Sequence, residues 1–125
     1  MSIKPLFAAL KDPEDATAPG NAQIWRLTGK MVGDQACFDF LESARSDIKR
    51  GKVHSILDLS RVTFANSTGV GVLASVFSAA SEAGGSLILV GVNQRVRSVL
   101  TVINLWPVVT SCDTVDEAVK HLVRK

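Results

Sequence analysis

The sequence predicts an α/β layer fold with four to five strands and about four helices. Three observations carry that prediction. Segments with the two-residue period of strands alternate with segments of helical period. Two runs, "ILDL" and "LILV", are nearly continuous in aliphatics, as suits strands covered on both faces. The connections between segments are short, which is the mark of layered strand–helix units.

Taken in order, "IKPLFAAL" reads as a short edge strand, because Pro5 is tolerated only near a sheet edge or a strand start. "KDPEDATAPGN" has the Pro, Gly, Asp and Asn content of a loop. Residues 1–22 are thus an N-terminal edge strand and loop, and residues 23–125 form the domain core. "AQIWRLTG" alternates in the manner of a strand. From Asp34 the period becomes helical, with Cys37, Phe38, Leu41, Ala44, Arg45 and Ile48 as the inward stripe and Gly51 at the C-terminal stop. "VHSILDLS" is the next strand, Ser67 to Ala83 the next helix, and "SLILVGV" the strand after it. Asn93 caps a third helix with Val96, Val99, Leu100 and Ile103 inward, and Pro107 follows its end. Val108 and Val109 fit a last short strand. Thr114 to Glu117 is a capping box opening a helix that buries Val115, Ala118, Val119 and Leu122.

Composition narrows the function. A chain of 125 residues is one domain, long enough for a core without staples. A net charge of +2 is too small to argue for nucleic acid. Cys37 and Cys112 share no metal-ligand or redox spacing, and a reducing, cytoplasmic setting is the default. No signal peptide is evident. The uncharged run from residue 62 to 81 is interrupted by Asn, Gly, Ser and Thr, so it reads as strand then helix rather than as a membrane span.

That run contains the candidate site. "FANSTGVG" places an amide, two hydroxyls and two glycines at a helix start, with no base or metal ligand beside them. Either Ser67 and Thr68 cap the helix, or another molecule acts on one of them. On a helical wheel Val70, Leu73, Val76, Phe77, Ala80 and Ala83 face the sheet. Gly71, Ser75, Ser78 and Glu82 face away, flanked by Ser67 and Ala74. Solvated helix faces are ordinarily dressed in Lys, Glu, Gln and Arg, and a mid-helix glycine costs about 1 kcal/mol against alanine. Two explanations remain open: close packing inside the domain, or a smooth landing surface for another protein.

The stretch "ILDLSRVTFANSTGVGVLASVFSAASEAGGSLILVGVNQRVRSVL" resembles the STAS domain family, the bacterial anti-sigma factor antagonists. Asp58-Leu59-Ser60, Asn66-Ser67-Thr68-Gly69, Gly71, Leu73 and Gly84-Gly85 are similar to that family's pattern. The resemblance implies a single STAS-type domain with a mixed sheet. It also implies phosphorylation of Ser67, with Thr68 as second choice, by a serine kinase that is also an anti-sigma factor, and reversal by a phosphatase. Asn66, Ser67, Thr68, Gly69, Gly71, Ser75 and Ser78 would meet that partner. Asn66 stands where the family usually has Asp, so the charge beside the target hydroxyl differs. The alternatives are a non-phosphorylated docking subunit of a transport or signalling complex, and a module for a nucleotide or lipid.

Nothing in the chain suggests catalysis, a cofactor, a metal or a membrane partner. A phosphate loop with its lysine and a Gly-x-Ser-x-Gly motif are both absent. Asp58, at a strand end, is expected to bond the backbone of the following loop. Arg95 and Arg97 are expected to be solvated, His54 and His121 structural, and Trp106 a plug at the sheet edge.

Overall fold

The computed structural model describes residues 6–12 and 18–123. In chain order it contains β1 (Phe7–Lys11), β2 (Ala22–Met31), α1 (Gln35–Lys49), β3 (His54–Ala65), α2 (Ser67–Glu82), β4 (Ser86–Val90), α3 (Gln94–Val102), a 3-10 turn (Trp106–Val108), β5 (Thr110–Cys112) and α4 (Val115–Val123). The five strands form one sheet in the order β1-β2-β3-β4-β5. β1 pairs antiparallel with β2, and every other pair is parallel, so the sheet is mixed.

Strands that follow their sequence order, joined by right-handed crossovers, must send each connecting helix to the same face. Accordingly α1, α2 and α3 share one face, where Cys37, Phe40, Val70, Leu73, Val76, Val96 and Leu100 pack on Trp25, Leu57, Leu59, Leu87 and Leu89. α4 returns beneath the sheet, and its Ala118, Val119 and Leu122 cover Ile24, Ile56, Ile88 and Val90. Successive side chains of β3 and β4 thus enter different cores, which is why both runs are aliphatic without alternation. Each buried Leu, Ile or Val contributes about 1.5–3 kcal/mol relative to exposure.

Several expectations are corrected. On α1 the ring that enters the core is Phe40, 3% exposed and edge-on to Trp25; Phe38 is 42% exposed. Arg45 is exposed too, and the buried charge on α1 is Asp47, paired with Lys11 of β1. β3 does not stop at Ser60 but continues to Ala65, pairing with Met31 across two register shifts. Ala83 and Ile103, expected inward, are exposed residues that close their helices. The last strand is Thr110–Cys112, because Val108 belongs to the 3-10 turn that contains Pro107 and Val109 lies between the two. Of the expected edge strand and loop, residues 3–5 and 13–17 lie outside the described residues. Among the described residues no helix is long and apolar enough to cross a membrane.

Candidate functional site

The site stands where β3 passes into α2, at the carboxyl end of the sheet. Asn66 makes the turn. Its backbone is extended (φ −93°, ψ −177°), its amide donates to the Met31 carbonyl at 3.1 Å, and its carbonyl accepts from Val70 at 2.9 Å. Its side chain works in two directions. Oδ1 accepts from the Gly69 amide at 2.8 Å, and Nδ2 donates to the Val32 carbonyl at 3.4 Å. The helix is therefore capped by Asn66, not by Ser67 or Thr68.

Two glycines fit the helix start to its neighbours. A Cβ on Gly69 would lie 1.9 Å from the Met31 carbonyl oxygen, so the first turn of α2 rests directly on the end of β2. Gly33 has φ +81°, a left-handed conformation suited to glycine, and a Cβ there would lie 2.3 Å from the Thr68 methyl carbon. Thr68 is thus seated over the β2–α1 loop. Ser67 is exposed, and its hydroxyl has no hydrogen-bond partner among the described residues. The amides of Ser67 and Thr68 are the orphan donors of a helix start, where the partial positive charge favours an anion.

Along the outward face of α2, Ser75 is half-buried and its hydroxyl donates to the Gly71 carbonyl at 3.0 Å; Ser78 is exposed. A Cβ on Gly71 would meet nothing within 4 Å. Close packing inside the domain thus explains Gly69 and leaves Gly71 unexplained. Ala74, Ser75, Ser78, Ala79 and Glu82 line one side of a shallow groove of about 280 Å³, and Arg45 of α1 lines the other. Asn66, Ser67, Thr68, Gly71, Ser75 and Ser78 accordingly form one strip, from the helix tip along its outer face, whereas Gly69, expected to meet the partner, is buried against the end of β2. Gly33, Arg45 and the carbonyls of Met31 and Val32 border it. The sequence marked that border only by the change to a helical period at Asp34.

Other singled-out residues lie elsewhere. Asp58 accepts from the Ser60 amide at 2.9 Å, as expected, and also pairs with Arg26 at 2.9 Å, which reaches Asp12 at 3.1 Å. Arg97 lies 4.9 Å over the Trp106 ring, and His54 bonds Ser86 at 2.9 Å. Cys37 is fully buried and burial pushes its thiol pKa up; burial does the same to Cys112, with Glu117 and Asp113 adding to it. No cluster of His, Cys, Asp and Glu among the described residues could hold a metal ion.

The STAS domain profile matches residues 15–118. The chain belongs to the STAS domain family. Two sequence relatives of this STAS domain carry the provisional name anti-sigma factor antagonist. The Thermotoga maritima protein is 33% identical over 78 residues, 62% of this chain and 69% of the relative. The Thermotoga neapolitana protein is 33% identical over 75 residues, 60% of this chain and 66% of the relative. Among solved structures, the unphosphorylated form of the anti-sigma factor antagonist SpoIIAA superposes with a TM-score of 0.78 at 21% identity, covering 94% of this chain and 98% of that one. The phosphorylated form of Bacillus SpoIIAA gives 0.74 at 20% identity, covering 92% and 99%. At these identities the two structures speak for the fold.

Proposed function

We propose that this STAS domain is a cytoplasmic anti-sigma factor antagonist that binds an anti-sigma factor through the tip and outer face of α2. Phosphorylation of Ser67 by that partner, acting as a serine kinase, breaks the complex, and a phosphatase restores it. One observation carries the reading: Asn66 takes over the capping of α2, which leaves the Ser67 hydroxyl exposed and uncommitted at the helix start. Thr68 is the weaker candidate because its methyl is seated against Gly33. The names carried by the Thermotoga relatives point the same way.

The electrostatics suit a switch. A phosphate adds about −1.5 to −2 charge at neutral pH. At a helix N-terminus that charge is favourable by about 0.3–1 kcal/mol, so the domain tolerates it. A docked partner does not. One like-charge contact at about 4 Å and an effective dielectric near 20 costs about 4 kcal/mol, or nearly a thousandfold in affinity. Asn66 is neutral, so after modification the negative charge at the tip comes from the phosphate alone.

The test pairs two variants with mass spectrometry. Ser67→Asp keeps its circular dichroism spectrum and loses the anti-sigma factor; Ser67→Ala binds it and takes up no phosphate from the kinase and ATP. Equal binding by both variants removes the switch. Phosphate located elsewhere than Ser67 in protein from native cells moves the site.

A further inference from the structure

A second cavity shares no residue with the strip on α2 and is independent of the docking reading. It has a volume of about 250 Å³ and lies at the carboxyl ends of β4 and β5, the side of a parallel sheet on which α/β domains take ligands. The first turns of α3 bring Gln94 and Arg97 to it, and the end of β5 brings Ser111 and Asp113. Val92 and Trp106 also line it.

The two charges of this cavity are held in place and not used within the domain. Arg97 lies over the Trp106 ring, 4.9 Å from its centre. That contact occupies one face of the guanidinium. Its N–H groups point outward in the plane and stay free to grip a carboxylate through two hydrogen bonds. Among the described residues the Arg97 guanidinium, the Gln94 amide, the Ser111 hydroxyl and the Asp113 carboxylate have no hydrogen-bond or ion-pair partner. Arg97 and Asp113 thus line one cavity without pairing. Negative charge on the β5 side is reinforced by Glu117, whose carboxylate accepts from the Asp113 amide at 3.3 Å. A plain anion would be repelled by these carboxylates, and a plain cation by Arg97. A molecule carrying both charges meets an opposite one at each end.

We propose that this cavity binds a small zwitterion of the free amino acid class, with its carboxylate on Arg97 and its ammonium on Asp113. Gln94 and Ser111 bond the polar atoms between them. Size agrees with this choice. Drug-sized ligands occupy pockets of about 300–1,000 Å³. At about 250 Å³ the cavity is too small for a nucleotide and large enough for an amino acid. A lipid tail fits no better, since an acyl chain would strip water from Gln94, Arg97, Ser111 and Asp113 and offer them no partner.

The experiment titrates the full chain with the proteinogenic amino acids and 4-aminobutyrate, one at a time, by calorimetry and by the NMR signal of the Trp106 indole. At least one of them binds with a dissociation constant of about 1 mM or below and shifts that signal. The indole of Trp25, bonded to Gln23 in the core, stays where it is. Asp113→Asn and Arg97→Lys each weaken the ligand by about tenfold to a hundredfold, the worth of a hydrogen bond to a charged group. Asp113 is exposed and its carboxylate bonds nothing among the described residues, so Asp113→Asn keeps the fold and carries the test even where Arg97→Lys loosens Trp106. Acetate and ethylamine, with one charge each, bind more weakly than the zwitterion by a similar factor. Acetate binding as tightly as the amino acid, or full affinity in Asp113→Asn, overturns the proposal. So does a panel in which no member moves the Trp106 indole.

Discussion

Asn66 shows how one side chain can settle the geometry of a site. It caps α2 through its oxygen and holds the β2–α1 loop through its nitrogen, a bond that Asp in its place could not donate. Asn93 repeats the device at α3, accepting from Val96 at 2.9 Å and donating to the Val62 carbonyl at 2.8 Å. Both helices therefore start at positions tied to the preceding layer, not merely capped. Asn66→Ala is expected to lower stability by about 1 kcal/mol, the usual value of a lost cap. Asn66→Asp keeps the cap and gains from the helix dipole, so its stability stays within about 0.5 kcal/mol of the wild type. Urea unfolding of the two variants checks this. A loss with Asp as large as that with Ala would mean that the Val32 bond, at 3.4 Å, carries more than its length suggests.

At the scale of the element, α2 carries two glycines with opposite reasons for being there. Gly69→Ala forces a carbon to within 1.9 Å of the Met31 oxygen, so α2 must lift from β2. Overpacking of this kind costs about 1–3 kcal/mol. Gly71→Ala meets nothing and gains helix propensity, which should stabilise the domain by up to about 1 kcal/mol. Thermal melts of the pair should move in opposite directions, and a destabilised Gly71→Ala would disprove the open space before Gly71. The sequence distinguished these glycines only by phase on the wheel. The same wheel placed Val70, Leu73, Val76 and Ala80 inward, and all four are buried. It omitted Val72, also buried, because α2 lies between two helices and covers a wider arc than a flanking helix. For α1, periodicity could not choose between Phe38 and Phe40, two residues apart. The choice is tertiary, made by Phe7 and Trp25, which pack against Phe40 from β1 and β2. The extension of β3 was hidden for a similar reason. "RVTFA" buries Val62 and Ala65, three residues apart, and leaves Phe64 exposed, a spacing that two register shifts against β2 accommodate and the strand period does not announce. The tip itself was legible, since caps and helix starts are local chemistry; its border on α1 was not, since only the fold brings the two helices together.

At the scale of the whole molecule, the core and the tip share their supports. The three-helix face is closed by the Val32-Gly33-Asp34 turn: Asp34 accepts from the Cys37 amide at 3.2 Å, Val32 bonds Asn66, and Gly33 seats Thr68. Cys37, with no exposed surface, sits directly under that turn. Because burial raises its thiol pKa, the folded state holds the proton more tightly than the unfolded state does. The sign follows from proton counting. Below the ordinary thiol value of 9.0 both states are protonated, and the stabilisation is whole. As pH rises from there through the folded-state value, only the unfolded chain gives up the proton, and stability falls. Cys112 shifts in the same direction and adds to the decline. Urea midpoints are therefore expected to fall as pH rises through 9.0 and beyond, and Cys37→Ala should flatten that slope whatever it does to the midpoint at neutral pH. An unchanged slope in Cys37→Ala would show that the thiol buried beneath the 32–34 turn does not carry this pH dependence.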